Sequence, residues 1–276
     1  MTPLLERRRI FAKSGQPRFV YKYRVLPKVD DSAGWQRLED IVVRNQLWMA
    51  SADSLNDPFD FSIHYKMSEK GAALRRSVEH YFRRENNIGS ARARTLVRSD
   101  LIANPKLLER LLRNAHERFL RQLGVCSFSA DPRVSRLWSH YSNDHSGICI
   151  QFDPSRDPRC FVLHRMTYSK EPKRVIESLD QLDHDTNLRL LMEKEEQWKD
   201  EREWRAVEIG NANIQRGFRP DALTGIILGL RCRDAAILDI LAKILGMRQS
   251  KKFPMPEIYQ VVKPDVGTRL RLLRVP

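Results

Sequence analysis

With 276 residues, 41% of them hydrophobic and 30% charged, the chain is long enough to bury a sizeable core, as one large domain or a domain with an insertion. Its 49 Lys+Arg against 35 Asp+Glu give a formal net charge of +14, and no apolar run approaches the ~20 residues that span a bilayer. Membrane spanning, a secretion signal and a disulfide or zinc framework are therefore not expected: MTPLLERRRIFAKSG lacks an apolar core, and Cys126, Cys149, Cys160 and Cys232 form no C-x-x-C pair. A cytoplasmic location is the expectation.

In chain order, RFVYKYRVL (18–26) alternates as a strand, and GWQRLEDIVVRNQ follows as a helix with Trp35, Leu38, Ile41 and Val42 on one face. LWMAS (47–51) is a second strand. NDPFDF is a turn, in which Pro58 fixes one torsion while the Asn56 and Asp57 side chains satisfy backbone donors, and SIHYK is a short strand. From 69 to 122 the period becomes helical, predicting two or three inserted helices with Leu107, Leu108, Leu111, Leu112, Ala115 and Phe119 as the apolar stripe of the last. This insertion holds 13 basic residues against 6 acidic. Its arginines, Arg75, Arg76, Arg83 and Arg84 among them, are either a solvated face or a clamp for phosphates.

Strand character returns in VCSFSA. A short helix VSRLWSHYSNDH, the strand GICIQFDP, the segment CFVLHRMTYSK and a charged helix over about 186–199 come next. The C-terminal part predicts a strand (GIILGL), a helix stopped by Gly246 (CRDAAILDILAKILG) and two closing strands (EIYQVV, TRLRLLRV). Helices and strands mix without a regular βαβ alternation, so the expected class is α+β with a largely antiparallel sheet.

No glycine-rich phosphate loop and no G-x-S-x-G elbow occur. Trp138 and Tyr141 stand three apart on one helix, as a core pair or as a stacking platform in a cleft. His140, Asp144 and His145 are more in keeping with hydrogen bonding than with a metal site. The stretch WKDEREWRAVEI is the most pointed. If it is a strand, Glu201, Glu203 and Arg205 share one face, which Val207 and Ile209 continue in apolar form. Two carboxylates side by side repel unless a cation or a reacting centre lies between them. They are either a surface salt-bridge cluster neutralised by Lys199, Arg202 and Arg205, or a working pair.

Y-K-Y-R, N-D-P-F-D, S-F-S, W-x-H-Y and E-W-R, in that order over residues 19–262, resemble an uncharacterised bacterial domain family. The order of elements is also similar to the ADP-ribosyltransferase superfamily. That resemblance implies a catalytic-type domain across residues 1–276, with sheets of that type and the 69–122 insertion within it, acting on NAD without a metal. It places Glu203, Glu201 and Tyr141 at the catalytic positions. NAD would be held by Lys22, Tyr23, Arg24, Asn56, Ser127, Ser129, Trp138, His140 and Arg205; no histidine stands in the first strand, so Lys22 or Arg24 takes its place. It further implies a toxin or phage-defence effector that transfers ADP-ribose to a protein or a nucleic acid, for which an antitoxin is a candidate partner. The alternative from the residues is a non-catalytic nucleic-acid-binding or sensor domain using Arg75, Arg76, Arg83 and Arg84. A metal-dependent nuclease is a third.

Overall fold

The computed structural model describes residues 6, 15–57, 59–86, 89–97, 104–171, 175–179 and 190–276. Pro58, Arg98 and residues 186–189 of the expected charged helix lie outside the described residues, as does the Arg84 side chain.

Strand β1 (Val20–Arg24) leads to helix α1 (Ser32–Val42), whose first turn is capped by Asp31 accepting from the Gly34 amide at 2.8 Å. Trp35, Leu38, Ile41 and Val42 are buried, the face expected from their spacing. β2 (Gln46–Ser51) and the two-residue β3 (His64–Tyr65) follow. The arginine-rich segment forms α2 (Gly71–Asn86), α3 (Ser90–Leu96) and α4 (Pro105–Gln122), the last opened by Asn104 as N-cap and Pro105. Leu108 and Leu112 of α4 are buried, whereas Leu111 is exposed, so the apolar stripe is narrower than its sequence suggests.

β4 (Leu123–Ser129), α5 (Ser135–Tyr141), β5 (Ile148–Phe152), β6 (Leu163–Arg165), β7 (Thr167–Ser169), β8 (Val175–Ile176) and β9 (Glu193–Glu195) come next. A 3-10 helix (Glu196–Glu201) then precedes β10 (Glu203–Ile209). β11 (Ile214–Gly217), β12 (Leu223–Leu228), α6 (Ala235–Ser250), β13 (Glu257–Val262) and β14 (Arg271–Arg274) complete the chain. The architecture is mixed α+β. Among the described residues ten strands join in one sheet, in the order β11-β2-β4-β1-β5-β12-β13-β14, with β10 between β4 and β6. All these pairs are antiparallel except β12 with β13.

Two sequence expectations are corrected. Residues 193–195 are a strand pairing in parallel with β7, not part of a charged helix. Helical propensity in this glutamate- and lysine-rich stretch yields to tertiary pairing, because Lys194 turns inward, only 4% exposed, toward carboxylates. Helix α6 does not stop at Gly246 but runs on to Ser250. Its last turn carries the fully buried Arg248, which donates to the carbonyls of Val42 and Pro254 at 2.7 and 2.8 Å, to that of Pro220, and to Asn45 Oδ1 at 2.8 Å. Four tertiary hydrogen bonds outweigh the ~1 kcal/mol that an interior glycine costs a helix.

Three apolar clusters hold these elements. The first unites α1 and α6 with one sheet face through Trp35, Leu38, Ile41, Leu241, Ile244, Phe128, Ile150 and Phe152. The second packs Leu74, Val78, Leu108 and Leu112 of the helical layer on Phe61, Val125 and Leu191. The third surrounds Trp138 with Cys149, Ile227 and Val261. Each fully buried side chain of this kind stabilises the fold by about 1.5–3 kcal/mol.

The sheet opens at its centre. On the side of β4 away from β10, β2 pairs only with Gly124 and Val125, and β1 meets β4 only at Ser129. Between those two contacts β1 and β2 splay apart and leave a gap in the ladder.

Candidate functional site

A cleft of about 610 Å³ fills that gap. Tyr21, Lys22, Tyr23 and Arg24 of β1 all border it, which alternation along a strand permits only where the sheet is open beside it. Its other walls come from α1 (Arg37, Asp40), β2 (Gln46, Trp48, Ala50), β4 (Ser127, Ser129) and Tyr141 of α5. Asp60, Lys194, Glu201, Glu203 and Arg205 line its inner end.

Glu201 and Glu203 reach this end by a route that alternation along a strand does not give. Glu201 ends the 3-10 helix, Arg202 adopts a left-handed conformation (φ 45°), and β10 begins only at Glu203. The kink turns the two carboxylates onto one ammonium: Lys194 Nζ donates to Glu201 Oε2 at 2.9 Å and to Glu203 Oε2 at 3.0 Å. Arg205 Nε donates to Glu203 Oε1 at 2.6 Å, and its two terminal nitrogens grip both oxygens of Asp60 at 2.9 and 2.5 Å. The guanidinium lies over the Phe61 ring, 4.8 Å from the centroid. Phe61 itself is left-handed (φ 58°), a strained state for an aromatic residue that its 1% exposure in the second core sustains. The N-D-P-F-D turn therefore delivers Asp60 and Phe61 to the arginine, with the Phe59 amide donating to Asp57 Oδ1 at 2.9 Å.

Three carboxylates and two cations thus meet in one buried cluster. Burial pushes the Glu203 carboxyl up, but Arg205 and Lys194 outweigh it and hold it down at about 2, so Glu203 is an anion at every working pH. Burial disfavours the charged forms of Lys194 and Arg205 too, yet the carboxylates raise both above their ordinary values. The backbone around Glu203 is also fixed: its amide donates to Tyr168 Oη at 2.8 Å, and Ser129 Oγ donates to the Glu201 carbonyl at 2.7 Å.

Glu201 differs from its neighbour. Its Oε1 accepts from Tyr141 Oη at 2.8 Å and faces the cleft, where Asn56 Nδ2 approaches the same phenol at 3.5 Å. Burial, and then the Glu201 charge, raise the Tyr141 phenol to about 12, so it remains a neutral donor. One carboxylate is clamped by cations, then, and the other is shared between an ammonium and a phenol.

The structure brings together Glu201, Glu203, Tyr141, Asn56, Lys22, Arg24, Ser127, Ser129 and Arg205 around the cleft. Lys22 Nζ caps the Ser127 carbonyl at 3.2 Å, spanning the gap. Tyr23 borders the cleft, but its hydroxyl donates to the Asp131 carbonyl at 3.0 Å and its ring meets Trp138 edge-on. Trp138 is not brought in. It is fully buried, with its indole N–H donating to the Pro132 carbonyl at 2.8 Å, so no ligand can stack on it. His140 is exposed and does not line the cleft. His145 approaches the hydroxyls of Ser135 and Ser139, and among the described residues no group of three or more His, Cys, Asp or Glu is placed to hold a metal. Arg75, Arg76 and Arg83 sit on α2 away from the cleft.

The salt-bridge partners expected for the glutamates also need correction. Lys199 pairs with Glu196 at the surface and Arg202 with the buried Asp131, so of the three expected cations Arg205 alone meets one of the two glutamates, and the cluster itself is buried. Ile209, expected to extend an apolar face, is 57% exposed at the strand end. Sequence reasoning missed Asp60, Lys194 and Trp48. Asp60 was legible as the second acid of N-D-P-F-D, and Trp48 as the outward member of an alternating strand. Lys194 gave no signal, being one lysine among many.

Residues 137–206 match the model of a family described as "Protein of unknown function (DUF2971)", which fits the uncharacterised family that the ordered signatures resemble. The matched segment contains W-x-H-Y and E-W-R, whereas Y-K-Y-R, N-D-P-F-D and S-F-S precede it. No curated protein and no solved structure matches the chain. Among the described residues no helix is long and apolar enough to cross a membrane.

Proposed function

We propose that the chain is an ADP-ribosyltransferase-like enzyme that cleaves the nicotinamide glycosidic bond of NAD in the β1/β2 gap and transfers ADP-ribose to a protein or a nucleic acid. The observation that carries this reading is an ionised, immobilised carboxylate, Glu203, beside a second carboxylate and a phenol at one end of a cleft whose flank is cationic. As the bond to ribose C1′ breaks, its electron pair leaves with nicotinamide and positive charge grows on the ribose. A fixed anion is worth most at that moment, because no reorganisation is needed to aim it. Glu201, held by one cation rather than two, takes the proton of the acceptor as the acceptor bonds to C1′. Lys22 and Arg24 offset the diphosphate charge. Exposed Arg76 and Arg83 suit a nucleic-acid acceptor. A toxin or phage-defence role with an antitoxin partner rests on the resemblance alone.

One observation favours a second reading, a non-catalytic sensor domain: both oxygens of Glu203 are already taken by protein cations. The two readings separate by measuring nicotinamide release from NAD by wild type and Glu203→Gln. Release that falls by a factor of a hundred or more in the variant supports the enzyme. Neither binding nor release of NAD sinks it, and binding without release selects the sensor. Affinity for RNA or DNA that is steeply salt-dependent, survives Glu203→Gln and drops when Arg75, Arg76, Arg83 and Arg84 become Ala assigns the function to the helical layer instead.

A further inference from the structure

Away from the Glu201–Glu203 end the cleft is bordered by β1, α1 and β2, and Arg24, Arg37 and Trp48 stand out there. Arg24 is half-buried, yet among the described residues its side chain makes no hydrogen bond or ion pair. Burial lowers its pKa, and the neighbouring charge of Arg37 lowers it further. Arg37 has one distant acid, Asp31 at 3.9 Å. Asp40, the acidic residue on the same helix face, is occupied by Arg44 and by Gln215 Nε2 at 3.1 Å. The half-buried Arg24 and the exposed Arg37 therefore border the cleft with no close carboxylate of their own, an arrangement that suits an anion with several oxygens. Trp48, 46% exposed, projects from β2 into the same cleft between Gln46 and Ala50. A tryptophan left half open on a strand whose alternate residues are buried presents a flat apolar surface to whatever enters.

We propose that this wall is a subsite for a free nucleoside diphosphate, with the base stacked on Trp48 and the phosphates held by Arg24 and Arg37. This deepens the NAD reading by assigning the ADP half of the dinucleotide to a place remote from Glu203. A bounded cleft of about 610 Å³ suits one dinucleotide-sized molecule rather than a continuous strand.

The test is binding to the intact chain, by calorimetry and tryptophan fluorescence, with ADP, adenosine, ribose 5-phosphate and a single-stranded oligonucleotide as probes. ADP binds the wild type and quenches fluorescence. Trp48→Ala weakens ADP roughly 5- to 100-fold, from the worth of one base–aromatic stack, while ribose 5-phosphate is unaffected. Trp48→Phe restores part of the loss, and Arg24→Gln weakens ADP at least tenfold while sparing adenosine. Circular dichroism controls for folding, and the exposed Trp48 is the safer site should Arg24→Gln unfold the chain. Equal ADP affinity in wild type and Trp48→Ala, no ADP binding at all, or an oligonucleotide bound far more tightly than ADP overturns the subsite. ADP binding as described with no nicotinamide release from NAD leaves the subsite standing and removes the enzyme. Nicotinamide release with an unchanged KM in Trp48→Ala does the reverse.

Discussion

Among the described residues two arginines are completely buried, and the protein treats them in opposite ways. Arg205, under the cleft, is gripped by Asp60 and Glu203, and those carboxylates raise its pKa although burial alone would lower it. Arg248, in the last turn of α6, meets three carbonyls and one side-chain amide with no acid in reach, and burial pulls its pKa down to about 10, still a cation at neutral pH. Arg248 ties α6 to the end of α1 and to two prolines in loops, a role in which a fork of donors is what matters. Arg205 instead stores a balance of charges, three acids against two bases, beside an open cleft. Left-handed residues stand beside both arginines, Phe61 and Arg202 at the Arg205 cluster and Asn45 (φ 55°) and Lys252 (φ 57°) around Arg248, so backbone strain does not distinguish the two. A buried ion pair seldom improves on an apolar core of the same volume, so the Arg205 cluster is better explained by what it does to Glu203 than by stability.

The contrast is broken most sharply by Arg205→Met. That change leaves three carboxylates facing Lys194 alone and is expected to cost about 3–5 kcal/mol in denaturant unfolding. Replacing both partners, Asp60→Leu with Arg205→Met, is expected to regain most of that loss while abolishing activity. A double variant that keeps full activity would separate the cluster from the site.

Acid probes the same cluster. Glu203 sits at about 2 against an ordinary 4.5, so its stabilisation is present above pH 4.5 and is lost as pH falls toward 2, on the order of 3 kcal/mol. Wild type is expected to lose more stability than Glu203→Gln over that window, measured by urea midpoints at stepped pH; equal losses would show that Arg205 and Lys194 do not hold the carboxyl down.

Arg248→Met orphans carbonyls rather than charges, and its expected cost is about 1–3 kcal/mol, with nicotinamide release unchanged. The smallest expected effect on stability is that of Tyr141→Phe, about 1 kcal/mol for one hydrogen bond. It also frees Glu201 Oε1, so a shift in the pH profile of turnover without a matching shift in melting temperature marks Tyr141 as acting on Glu201.

Periodicity carried far in this chain. The face of α1, the core of the α4 stripe at Leu108 and Leu112, the strands β1, β2, β4, β5, β12 and β13, and the antiparallel mixed class all follow from apolar spacing and turn residues, because local geometry ties spacing to burial. It failed where long-range pairing overrode it. Lys194 belongs to a strand because β7 lies beside it and carboxylates await its ammonium. Trp138, which shares helical spacing with Tyr141, points into an apolar cluster because α5 lies against β1.

The linear order of residues suffices to make Glu201, Glu203 and Arg205 neighbours, to give N-D-P-F-D its turn chemistry and to put cations on β1. Long-range packing supplies the rest: the kink at Arg202, and not strand alternation, turns both glutamates onto one lysine, and Asp60 reaches the arginine from far along the chain. That packing alone opened the sheet between β1 and β2. The reason is physical: side-chain direction along an element is a local property, whereas the compensation of a buried charge depends on groups brought from far along the chain.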